Sequence, residues 1–278
     1  MNQPRVAIVV LNWNGWQDTL ACVASLQALE YANFHIVLVD NGSTDGSMQE
    51  FQRALPSVEL LQTGANLGFG GGCNVGIRHA LASGAEYIWL INSDAVVDPG
   101  ALSAMVRLAQ ENSALGAVGS VLFDADAVDR VQLWGGGHVG LWLGRSVHSL
   151  SPGADLDFVS GASLLLRRSA LEQVGLFDEA RFFMYWEDTD LGFRLRKAGW
   201  MLAVAADSKI WHKQSASLGL GNPLLDEYAT RSCVRFLRLH APIPFVSVGL
   251  VLMRMVLKRI LIGRPDRLLA VLRGYRSA

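Results

Sequence analysis

Glu187, Asp188 and Asp190 stand in a four-residue window directly after a bulky run of Phe182, Phe183, Tyr185 and Trp186. A carboxylate beside aromatic walls and at a helix start is suited to act as a tuned general base. Leu191, Leu195 and Ala198 repeat at helical spacing, and Gly199 sits where a left-handed C-terminal cap belongs. The same acids would equally complement a helix dipole, which favours negative charge in the first turn. The spacing leaves both roles open.

Apolar strands alternating with helices must position such a site. Arg5–Asn12 reads as a buried strand, Trp16–Leu29 as a helix and His35–Asp40 as a second strand. A turn-rich Asn41–Gly46 leads to a short helix ending near Leu55, and Val58–Gln62 is a third strand. The glycine-rich loop Gly64–Gly72 leads into a helix ending near Ala82, Tyr87–Asn92 makes a fourth strand, and Pro99 suits the first turn of another helix. This alternation predicts an α/β fold with a mostly parallel sheet, whose ligands bind beyond the carboxyl ends of the strands. Three of those ends are polar: Asn12 and Asn14, Asp40 and Asn41, then Asn92, Ser93 and Asp94.

Other chemistries find little support. There is no GxxxxGK phosphate loop, and Gly68–Gly72 fails the dinucleotide spacing because Cys73 follows. Gly135–Gly140 matches that spacing numerically, but Leu141-Trp142-Leu143 after it reads as strand or loop instead of helix. Cys22, Cys73 and Cys233 are odd in number and widely spaced, which argues against a disulfide framework or zinc site and for a reducing compartment. The apolar run Val6–Leu11 is too short for a signal-peptide core, so a cytoplasmic protein is expected.

A net charge of −1 over 278 residues, 51% of them hydrophobic, conceals an asymmetry. From Arg231 to Ala278 there are ten Lys or Arg and a single acid, Asp266. This segment also holds the apolar stretch Ile243–Leu257, followed by Lys258; Arg254 within it and Lys258 lie four apart, on one helix face. Arg254 interrupts the stretch too early for a membrane-spanning helix, whereas a basic face on an apolar helix suits an anionic membrane surface. A core helix or an oligomer interface is the alternative. The expected division is a catalytic domain over 1–222 and a basic, apolar, amphipathic helical tail over 223–278.

Four ordered motifs carry a resemblance. Val39-Asp40-Asn41-Gly42-Ser43-Thr44-Asp45, Asn66-Leu67-Gly68-Phe69-Gly70, Leu90-Ile91-Asn92-Ser93-Asp94 and the acidic segment at 187–190 together resemble the family 2 glycosyltransferases of GT-A fold, especially rhamnosyltransferase-like members. The resemblance runs from about Val6 to His212. It implies an inverting transfer of a sugar, with rhamnose one candidate, from a nucleotide-diphosphate donor to a hydroxyl of a saccharide or lipid-linked saccharide. A dTDP- or UDP-sugar is the implied donor and Mg²⁺ or Mn²⁺ the cofactor; the basic, apolar tail would bring the enzyme to its acceptor at the inner membrane face, and no nucleic-acid partner is expected.

By the same resemblance, Leu11, Trp13 and Asn14 line the base pocket, and Asp40 beside Asn41 accepts a hydrogen bond from a pyrimidine imide. Asp40 as an Asx turn is the alternative. Asn66 and Asn74 flank the glycine-rich segment near the donor, unless they serve only turns or caps. Asn92, Ser93 and Asp94 occupy the place of the family's D-x-D motif, with Asp94 and His212 as implied metal ligands. Asn92 replaces that motif's first acid, which opens the alternative of a sugar-nucleotide-binding protein without transfer. Asp188 is the implied base and Glu187 the second candidate, with Asp190 capping the helix; Tyr185 and Trp186 stack on the acceptor or pack in the core. A nucleotidyltransferase would want a basic, glycine-rich loop after the first strand, where Asn12-Trp13-Asn14-Gly15-Trp16 stands instead.

Overall fold

The computed structural model describes residues 3–153, 155–213 and 222–278. β1 (Val6–Asn12), α1 (Trp16–Gln27), β2 (Phe34–Asp40), α2 (Ser47–Ala54), β3 (Glu59–Gln62), α3 (Gly68–Ala82) and β4 (Tyr87–Asn92) alternate as expected. β5 (Ala95–Val97), α4 (Ala101–Glu111), β6 (Leu115–Asp124), β7 (Val131–Trp134), β8 (Gly136–Gly140), β9 (Arg145–His148) and β10 (Phe158–Val159) follow. The chain then passes through β11 (Ser163–Arg167), α5 (Arg168–Val174), α6 (Glu187–Lys197) and β12 (Met201–His212). It continues through α7 (Pro223–His240), α8 (Pro244–Leu261) and α9 (Pro265–Arg276), each opened by a proline at its first helical position.

β1 is apolar on both faces because both are covered. Val6, Ile8 and Val10 pack with Cys22, Val23 and Leu26 of α1 and Leu102 and Met105 of α4. Ala7 and Val9 face the other layer, with Ile77 of α3, Leu171 of α5 and Leu191 and Leu195 of α6. The large sheet runs β3-β2-β1-β4-β11-β6-β12-β5, with β7 on β6, and β8 forms a small second sheet with β9 and β10. The first half is parallel; β11 then enters antiparallel between β4 and β6. Register aligns the polar strand ends, with Asn12 opposite Asp40 and Leu11 opposite Asn92.

Three local expectations change. The glycine-rich segment is already helical from Gly68, and its glycines let α3 dock closely on the sheet. A Cβ at Gly72 would lie 2.5 Å from Leu11, and one at Gly76 would lie 2.4 Å from Val9. Pro99 stands just outside α4, whose cap is Gly100. In the tail, the supposed basic face is partly turned inward: Arg254 donates to the Gly144 carbonyl, and Arg259 and Arg267 converge on buried Asp226. α7 packs Phe236 against Trp186 and Phe193, so the tail touches the acidic helix directly.

Candidate functional site

The strand ends form a polar rim held by its own side chains. The Asn12 amide donates to Asp40 Oδ1 and to Ser43 Oγ, both at 3.0 Å, while the Ser43 N–H donates to Asp40 Oδ2 at 3.2 Å. Asp40 is buried and braces the turn that follows it through the Ser43 N–H, so any base contact must use the lone pairs these bonds leave free. Leu11 and Trp13 are half-buried at this rim, and Asn14 is exposed in the left-handed region at φ 53°. Asn14 takes the Thr44 N–H at 2.7 Å and so ties the first loop to the second. Asn41 cross-links β2 to the start of α3, donating to Asn66 Oδ1 at 3.2 Å and to the Gly68 carbonyl at 3.1 Å.

Asn74 departs from the donor-binding expectation. It is buried, and its amide donates to the Phe177 carbonyl and to Glu179 while accepting the Phe177 N–H. Its polar groups are therefore engaged in holding the 177–179 segment.

Beyond β4 the chain turns through Asn92, Ser93 and Asp94, all half-buried, and β12 brings His212 across to them. His212 Nε2 lies 3.3 Å from Asp94 Oδ1 and 3.1 Å from the Asn92 amide nitrogen. On the far side of the ring, Nδ1 lies 2.8 Å from Gln132 Oε1, and the Gln132 amide donates to the His212 carbonyl at 3.4 Å. That second bond fixes the amide orientation, so Gln132 Oε1 accepts the Nδ1 proton and holds the ring with Nε2 facing Asp94. Among the described residues no group of three or more His, Cys, Asp or Glu could hold a metal ion. Asp94 and His212 nevertheless fit a cation that is shared with phosphate oxygens, since hard cations take few protein ligands at such sites.

Asn92 also links this turn to the acids, because its N–H donates to Ala162 O at 3.1 Å. One residue earlier, the Gly161 N–H donates to Asp188 Oδ2 at 2.9 Å; Asp188 Oδ1 takes the Thr189 N–H at 2.6 Å. Asp188 therefore serves the first turn of α6, as the bland alternative holds, and stands one strand end from Asp94 as well. Glu187 is buried, and its Oε2 has no hydrogen-bond partner. Burial, reinforced by the charge of Asp188, pushes its carboxyl from 4.5 up to about 8.

Asp190 does not cap the helix. It is buried and accepts from Arg194 Nε and lies against His240 Nε2 of α7, both at 2.8 Å. Burial alone would raise its pKa, but His240 and Arg194 outweigh burial and hold the carboxyl below the usual range. Trp186 is drawn onto Phe236, ring centroids 4.7 Å apart, which leaves exposed Tyr185 as the aromatic available to a sugar. Both aromatics lie in the left-handed region, Tyr185 at φ 68° and Trp186 at φ 71°, at a cost of roughly 1–2 kcal/mol each. Gly161, Gln132 and the α7 contacts escaped sequence reasoning.

The family described as "Glycosyltransferase like family 2" matches residues 4–222. The chain is 36% identical over 222 residues to an N-acetylglucosaminyl-diphospho-decaprenol L-rhamnosyltransferase of Mycobacterium tuberculosis, covering 71% of this chain and 72% of that protein. It is 29% identical over 185 residues to a galactofuranosyltransferase of the same species, covering 64% and 60%. Among solved structures, a Pyrobaculum calidifontis mannosyltransferase bound to GDP-Man and Mn²⁺ superposes with TM-score 0.62 at 17% identity, covering 100% of this chain and 76% of the other. GalNAc-T7 with UDP, GalNAc and Mn²⁺ gives TM-score 0.71 at 13% identity, covering 96% and 54%. These likenesses establish the GT-A fold.

Proposed function

This chain belongs to glycosyltransferase family 2, and from that membership we propose that it performs an inverting sugar transfer in which Asp188 is the general base. The observation that carries the assignment is the chain Asn92–Ala162–Gly161–Asp188, which holds a half-buried carboxylate beside the Asn-Ser-Asp strand end. The acceptor hydroxyl gives its proton to Asp188 as its oxygen bonds the anomeric carbon. The bond from that carbon to the donor diphosphate breaks in the same displacement, so no enzyme nucleophile is needed. Glu187 is ill suited to the role at neutral pH, because a protonated carboxyl cannot take a proton.

A divalent cation, Mg²⁺ or Mn²⁺, would be held by Asp94 and His212 and would neutralise the leaving diphosphate as a Lewis acid. Asn12, Asn14, Asp40 and Asn41 shape the rim that receives the donor base, which we assign to a UDP- or dTDP-sugar. A panel of nucleotide sugars in a transfer assay, with and without EDTA, tests the reading; no transfer from any donor would defeat it. Gln132→Ala should raise the Mn²⁺ concentration for half-activation roughly 10–100-fold, since it releases the ring that Gln132 orients. An unchanged Mn²⁺ titration would remove His212 from the metal site.

The acceptor is proposed to be a lipid-linked saccharide, reached at the inner membrane face. Among the described residues no helix is long and apolar enough to cross a membrane. α8 instead turns large apolar side chains outward along its length, with Phe245, Met253, Leu257 and Leu261 exposed by 79, 56, 50 and 85%. No acid occurs between Glu227 and Asp266, and Lys258 on α8 is exposed. These exposed apolar side chains, more than a basic face, supply the affinity for an anionic bilayer. Phe245→Ser with Leu261→Ser should lower binding to phosphatidylglycerol vesicles at least tenfold, at about 1.5–3 kcal/mol per buried side chain. Unchanged flotation would refute the seat. These point changes spare His240, which truncation after Leu239 would remove.

A further inference from the structure

The aromatic turn that leads into the acids is wound against its own preference; the start of α3 takes the Phe183 carbonyl, and α7 contacts the chain before, within and after the turn. Tyr185 and Trp186 are consecutive left-handed residues, three and two positions ahead of Asp188. Before the turn, buried Ser232 Oγ donates to the Met184 carbonyl at 2.8 Å, and the Phe183 ring lies 5.0 Å from Tyr228. Within it, the Trp186 ring rests on Phe236. After it, Phe193 packs edge-on to Phe236 at 5.0 Å, and His240 meets Asp190. One helix therefore holds the segment before, within and after the turn, and Gly161 takes Asp188 where that turn delivers it.

We propose that α7 is the positioning element of the general base, with Ser232 and Phe236 holding the Tyr185–Trp186 turn wound. The inference rests on the assignment of Asp188 as the base. Without these contacts the two aromatics return to ordinary negative φ, the first turn of α6 shifts, and Asp188 leaves Gly161. Such a displacement slows the chemical step while leaving the donor rim at β1 and β2 in place, because α7 makes none of that rim's hydrogen bonds.

The test is a split between kcat and KM in the full-length enzyme. Ser232→Ala deletes one hydroxyl, and Phe236→Leu removes the ring contacts while keeping an apolar side chain. Both should lower kcat about tenfold or more with donor KM within about twofold, as a sub-ångström to ångström misplacement of a reacting group does. Thr230→Val is the control, since Thr230 is buried in α7 and bonds only within the tail helices, to Asp226 O and Met255. It should lower thermal stability without lowering kcat. Full kcat in folded Ser232→Ala and Phe236→Leu would overturn the proposal. So would a kcat that falls with melting temperature alike in all three variants. If Asp188→Asn keeps wild-type turnover, the base assignment fails first; if it is inactive while both clamp variants run normally, only the positioning role fails.

Discussion

Asp188→Asn should lower kcat by roughly 10²–10⁴, the span attributable to a lost general base, with donor KM close to wild type. The substitution is nearly isosteric, so it keeps the volume of α6's first turn. It cannot keep both backbone contacts, however. The wild-type carboxylate accepts the Gly161 N–H on one oxygen and the Thr189 N–H on the other. An asparagine offers one oxygen, and its amide nitrogen must face one of those donors. The loss of one hydrogen bond costs about 1 kcal/mol, a few degrees in Tm for a chain of this size. A folded, donor-binding, inactive protein is thus the expected phenotype, measured by nucleoside-diphosphate release alongside a donor-dependent thermal shift with Mn²⁺. Wild-type turnover would move the base elsewhere.

The elements that make this prediction possible differ in how visible they are along the chain. β1, β2 and β4 are continuous apolar runs ending in Asn12, Asp40 and Asn92, and a strand buried on both faces leaves just that trace. α6 is equally plain, because Leu191 and Leu195 sit on its buried stripe and Gly199 adopts φ 91° after it. The glycines of α3 mislead, since a glycine that admits a ligand and one that admits a neighbouring strand look alike in one dimension. Asn74 misleads in the same way, its partners lying more than a hundred residues away at 177 and 179. Gly161 and Gln132 owe their roles to antiparallel pairings, β11 beside β4 and β7 beside β6, which no local periodicity encodes. The inward turn of Arg254 and Arg259 likewise depends on Gly144 and Asp226, neither of which announces itself as a partner.

Glu187→Gln should stabilise the protein relative to wild type by an amount that grows as the pH rises. In the folded chain burial holds the Glu187 carboxyl at about 8, whereas the unfolded chain releases the same proton near 4.5. Between those values the native state binds more protons than the unfolded state, so wild-type stability falls with rising pH across that window and levels off above it. Below the window both states are protonated and the glutamic acid costs nothing. A glutamine at this position resembles the protonated acid in shape and stays neutral, so the variant lacks this loss. At pH 5 the two proteins should melt within a degree or two of each other, and by pH 8 the variant should lead by on the order of 3 kcal/mol, at roughly 2–4 °C per kcal/mol. Activity gives the second half of the test. If Asp188 alone takes the proton, Glu187→Gln should keep kcat within severalfold at pH 7 despite its place in the acidic segment. A melting difference that stays flat from pH 5 to pH 8 would mean that Glu187 is ionised in the folded protein. A kcat as low as that of Asp188→Asn would make Glu187 a partner in the proton transfer itself.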